Sequence, residues 1–119
     1  MTRTTDSNIG ELPPDAVFVF GSNAEGNHGA GAALTALTRF GAETGVGEGL
    51  RGQSYALPTM EGIRALEMAA RRFIAFAEAH PELEFHLTKV GCGIAGYREN
   101  EVAPFFADTP ANVVKPPGW

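Results

Sequence analysis

In Phe18-Val-Phe-Gly-Ser-Asn-Ala-Glu-Gly-Asn-His-Gly-Ala-Gly-Ala-Ala33, a short apolar run ends at an Asn and opens into glycines just before an Ala- and Leu-rich helical pattern. The order reads as a strand, a polar turn and a helix N-terminus. Glycines there keep Cβ atoms out of a ligand's way, and the first helical turn adds unpaired N–H donors and a partial positive charge. An anion such as a phosphate is the natural guest.

Working outward, Ala16-Val-Phe-Val-Phe20 has the β-branched and aromatic content of a strand buried on both faces. Upstream, residues 1–14 form a polar leader ending in Pro13-Pro14, expected to be loosely ordered, so that 15–119 make a single domain. Downstream, a helix is expected from about Gly29 to Phe40, with Gly41 as a left-handed cap. The five glycines between Gly41 and Gly52 read as a long loop, functional or poorly ordered. Gln53 to Pro58 reads as a second strand, stopped by its proline.

From Ile63 to His80, Ile63, Leu66, Ala70, Phe73 and Ala77 recur at helical spacing, and Pro81 follows as a stop. Glu84 to Val90 reads as a third strand that runs straight into Gly91-Cys-Gly-Ile-Ala-Gly-Tyr97, a second strand-to-glycine junction. A short helix is expected over Asn100 to Ala107, with Pro104 near its first turn, and an edge strand over Ala111 to Val114. Strands alternating with helices predict an α/β domain with a mostly parallel sheet. In such sheets ligands bind beyond the carboxyl ends of the strands, where both glycine loops would lie.

Composition narrows the function. The chain has 119 residues, 44% of them apolar, enough for one small core. A net charge of −5, with nine scattered Lys and Arg, gives no footprint for the nucleic-acid backbone. No window approaches the roughly 20 apolar residues of a membrane span. The single cysteine and the lack of a secretory start set the expectation of a cytoplasmic protein. His80 and His86 have no metal-ligand spacing with Cys92, so no metal site is expected.

Gly21-Ser-Asn23 with His28-Gly-Ala-Gly31, and Gly91 to Tyr97 with Glu101-Val-Ala103 behind it, resemble the two ligand loops of the macro domain. Val90-Gly-Cys-Gly-Ile94, preceded by Tyr-x-x-Pro-Thr at Tyr55 to Thr59, is similar to the branch that includes terminal ADP-ribose protein glycohydrolases. It is similar also to short bacterial and phage-associated macro-like proteins. The resemblance implies a three-layer α/β/α fold and binding of ADP-ribose or a related phosphorylated nucleotide, with no further cofactor. The implied ligand contacts are Gly21, Ser22, Asn23, Gly29, Ala30 and Gly31 from the first loop, and Gly91, Cys92, Gly93, Ile94, Ala95, Gly96 and Tyr97 from the second.

Two positions depart from that branch. It places a catalytic Lys just after the Pro-Thr segment and an acid just after Gly-Cys-Gly-aliphatic, where this chain has Met60 and Ala95. Binding is therefore the expected function, and hydrolysis of an ADP-ribosyl linkage is left open, with Asn23 and His28 as the candidate catalytic residues.

Blander readings stand beside these. Asn23 can bond its own turn, His28 can be an exposed loop histidine, and Cys92 can be a small residue packed at a strand end rather than a thiolate nucleophile. The alternative function is a small scaffold or regulatory protein with structural glycine loops, whose contacts would use the Gly41–Gly52 loop and the stretch ending in Trp119. A homodimer is compatible with either reading.

Overall fold

The computed structural model describes Thr5 and residues 11–119. Its central strand, β1 (Ala16–Ser22), has inward residues on both sides of the pleat. Val17 and Val19 point to one cluster and Phe18 and Phe20 to another, as period-two alternation requires. The remaining elements are α1 (Gly31–Arg39), β2 (Gly49–Arg51), β3 (Ser54–Pro58), α2 (Ile63–Ala79), β4 (Glu84–Leu87), α3 (Glu99–Val102), a 3-10 turn over Ala103–Phe106, and β5 (Val113–Val114).

The sheet order is β2-β3-β1-β4-β5. Strands β3, β1, β4 and β5 run parallel and β2 is antiparallel to β3, which makes a mixed, mostly parallel five-stranded sheet. The protein is an α/β domain, as its alternating pattern predicts. Helix α2 buries Leu66, Ala69, Ala70, Phe73 and Ala77 against Val17, Val19, Tyr55, Leu57, Phe85 and Leu87. On the other face α1 contributes Ala36, which meets Phe18, Phe20, Phe40 and Ala56. Each large side chain so enclosed stabilises the fold by roughly 2 kcal/mol. Within the larger cluster the Phe73 ring meets Tyr55, Phe85 and Phe106 edge-on.

Several expectations shift in detail. Helix α1 begins two residues later than expected, at Gly31, while Gly41 has the left-handed φ of 76° expected of its cap. The Gly41–Gly52 stretch is not all loop, because Gly49–Arg51 forms a hairpin with β3. Strand β4 stops at Leu87, three residues before the expected Val90, and the chain turns there, the Val90 N–H donating to the Thr88 carbonyl at 2.8 Å. The expected helix over Asn100 to Ala107 is a four-residue α-turn followed by a 3-10 turn that has Pro104 in its opening positions.

The expected loose leader falls largely outside the described residues. Its described part is tied down. Thr5 is buried and donates from its backbone to Lys115 and from its hydroxyl to Val114. The Gln53 side chain donates to the Pro13 carbonyl.

Candidate functional site

Three adjacent parallel strands end on one edge of the sheet. Strand β1 delivers Asn23, β3 delivers Thr59 and Met60, and β4 delivers Thr88 and Lys89. A cleft of about 410 Å³ opens there, between residues 21–33 and residues 88–95. Crevices of about 300 to 1,000 Å³ are the usual size for small-molecule sites. The two glycine-rich stretches, far apart in sequence, therefore form opposite walls of one space.

The first loop is over-determined. Asn23 closes it from within: its Oδ1 accepts from the Asn27 backbone at 2.9 Å and its Nδ2 donates to the Asn27 carbonyl at 3.1 Å. Glu61 accepts from the Ala24 backbone N–H at 3.0 Å. From outside, the segment following α1 folds back beneath the loop, with the Gly45 N–H donating to the Gly26 carbonyl at 2.9 Å. A Cβ on Gly26 would overlap the backbone of Gly45 and Val46, and one on Gly47 would overlap the carbonyl oxygens of Asn23 and Ala24. Close backbone approach explains the glycines at both positions.

His28 belongs to this buttress. It is 2% exposed, its ring stands edge-on to Phe20, and Nε2 lies 3.1 Å and 3.2 Å from the carbonyl oxygens of Glu43 and Val46. Both oxygens can only accept, so Nε2 carries the proton. Nδ1 is buried without a hydrogen-bonding partner among the described residues. The structure places His28 behind the loop rather than in the cleft lining.

Helix α1 opens toward the cleft. Ala30 to Ala33 line the space, and no side chain caps the helix, so its first-turn N–H groups are available to an anion.

The second loop is held more lightly. The Tyr97 N–H donates to Gly91 and the Gly96 N–H to Gly93, which closes the turn. Gly93 has open space where a Cβ would stand, and Ile94 is 79% exposed. With Met60, also exposed, Ile94 gives the cleft an apolar rim.

Of the expected contacts, Gly21, Ser22, Asn23, Gly29, Ala30, Gly31, Gly91, Gly93, Ile94 and Ala95 line the cleft, whereas Cys92, Gly96 and Tyr97 do not. Cys92 and Tyr97 pack instead on the core behind the loop. Burial, and then the charge of Glu99, push the Cys92 thiol above its ordinary value, which suits the packed reading over the nucleophilic one.

Sequence reading missed Asn27, Thr59, Thr88 and Lys89 in the lining. The Thr59 hydroxyl donates to the Ser22 carbonyl at 3.1 Å and that of Thr88 to the Val19 carbonyl at 2.8 Å, each pinning a strand end to β1. Among the described residues no cluster of three or more His, Cys, Asp or Glu is placed to hold a metal, and no helix is long and apolar enough to cross a membrane. No protein-family model, curated protein or solved structure matches this chain.

Proposed function

We propose that this protein is a small, three-layer, macro-like module that binds ADP-ribose or a related phosphorylated nucleotide in the cleft between its glycine loops. The observation that carries the reading is convergence: two glycine-rich strand ends and an uncapped helix N-terminus line the same space of about 410 Å³. Small residues and backbone donors suit a diphosphate, which needs many N–H groups and tolerates little steric obstruction. The exposed Met60 and Ile94 offer apolar surface for the flat or hydrophobic part of the same ligand.

Binding is favoured over catalysis. The lining supplies hydroxyls, amides and a lysine, so a hydrolytic step at this site would take its base from the phosphate of the nucleotide itself. We favour nucleotide binding over the scaffold alternative because the 43–47 segment and Trp119 already have partners within the chain, the first on His28 and the second on Phe106.

Calorimetry and thermal shift with ADP-ribose, NAD, ADP and cyclic nucleotides test the proposal. Binding of ADP-ribose or ADP, reduced at least thirtyfold by Gly29→Glu and by Gly93→Glu, is the expected result. Neither position has the positive φ that would strain a side chain. No response to any of these ligands overturns the reading; full affinity in both variants overturns the placement of the site.

A further inference from the structure

Among the described residues lining the cleft, Lys89 is the only charged one. Its ammonium is already engaged. Nζ lies 3.1 Å from Oε2 of Glu99, while Oε1 of the same carboxylate accepts from the indole N–H of Trp119 at 3.0 Å. The Trp119 ring stacks on Phe106 at a centroid distance of 5.8 Å, and Phe106 is fully buried in the larger core cluster. The core thus holds the indole, the indole holds one oxygen of Glu99, and the other oxygen is left for Lys89.

The indole N–H and then the lysine hold the Glu99 carboxyl below its usual range, so it stays ionised at neutral pH. An anion entering the cleft meets a cation that already has an internal partner. That partnership is weak by construction. Lys89 and Glu99 are each about half exposed, at 48% and 49%, and exposed ion pairs are readily broken. Lys89 stands two residues after the end of β4 and two before Gly91, so its flexible stem arises at the base of the second loop.

We propose that Lys89 is the cation that selects anionic ligands in this cleft, and that Glu99, positioned by Trp119, is a built-in competitor that sets how strongly it attracts them. The proposal rests on the nucleotide reading above and adds to it a preference for ligands with an ionised phosphate near the second loop. A phosphate displaces the carboxylate and takes the ammonium. Because Trp119 occupies one carboxylate oxygen, Glu99 stays within reach without gripping the lysine with both.

The test is calorimetric titration of the full chain with ADP and with adenosine at two salt concentrations. The proteins compared are the unsubstituted chain, Lys89→Gln, Glu99→Gln and the double variant. Glutamine at 99 keeps an acceptor for the indole and removes only the charge. Lys89→Gln is expected to weaken ADP about tenfold and to flatten the dependence of its affinity on salt. Glu99→Gln is expected to strengthen ADP about threefold, and to do so only while Lys89 is present. The response to adenosine, which has no phosphate, should be the same in all four. Unchanged ADP affinity in Lys89→Gln overturns the proposal. A Glu99→Gln effect that is absent, or that survives in the double variant, overturns the part given to Glu99. Failure of the unsubstituted chain to bind ADP here, or any ligand of the screen described above, overturns the nucleotide reading itself, so the two failures are distinguishable.

Discussion

The two walls of the cleft are built on opposite plans. Residues 23–28 are fixed by Asn23 from within, by Glu61 from the side and by His28 and the 43–47 segment from behind. Residues 91–97 are held by three backbone hydrogen bonds, from Cys92 to Lys89, from Gly96 to Gly93 and from Tyr97 to Gly91, and carry an exposed Ile94 above open space. One wall is a preformed surface, and the other has room to adjust. A site of this kind keeps most of its binding groups in place and lets one jaw adapt to the ligand, which limits the ordering cost of closure. The difference also says where mutations cost stability and where they cost affinity.

Substitution at the packed glycines should give the largest contrast. Gly47→Ala forces a methyl group into the Asn23 and Ala24 carbonyls and is expected to lower unfolding stability by about 3 kcal/mol. Gly93→Ala has free space around it and should stay within about 0.5 kcal/mol of the unsubstituted protein. Urea unfolding measures both, and equal losses would erase the distinction between the walls. His28→Ala should cost about 2 kcal/mol in the same experiment, because the ring leaves the Phe20 face and the Glu43 and Val46 carbonyls lose their donor. A loss of ligand affinity at unchanged stability would instead return His28 to the site.

Asn23→Ala should cost about 1 kcal/mol, the net worth of two partly exposed hydrogen bonds, and should loosen the first wall. Faster amide exchange over residues 24–28 would report that loosening. The smallest effect concerns the base of the second loop. Since the folded state raises the Cys92 pKa, it binds the thiol proton more tightly than the unfolded chain does. The resulting stabilisation is complete below the ordinary thiol pKa and is lost as pH rises through the folded value. Alkylation of Cys92 should accordingly lag behind that of a free cysteine near pH 8 and catch up at higher pH; a rate equal to free cysteine at pH 8 would contradict the burial.

How far the sequence carries this picture depends on whether a feature is local. Strand β1 and helix α2 are legible because their apolar residues repeat at the strand and helix periods over enough positions to be unambiguous. Strand β2 is not, because three residues inside a glycine-rich stretch have no period of their own and become a strand only by pairing with β3. The two glycine loops announce themselves as strand ends. Their meeting around one cleft follows from the sheet order, which puts β4 beside β1. Lys89 escapes notice for the same reason: nothing in Thr88-Lys-Val90 says that its strand ends next to Asn23. The role of His28 is hidden further still, since the carbonyls it holds lie 15 and 18 residues away on a segment that reads as loop.

The most direct test of the proposed nucleotide binding, in a cleft with one fixed and one adaptable wall, is an amide-resolved NMR titration with ADP-ribose. Saturable shifts are expected at residues 21–23, 27, 29–33 and 88–95, with exchange broadening concentrated in 91–96 and little change at 24–26. An absence of shifts, or shifts clustered away from both glycine loops, would contradict that binding.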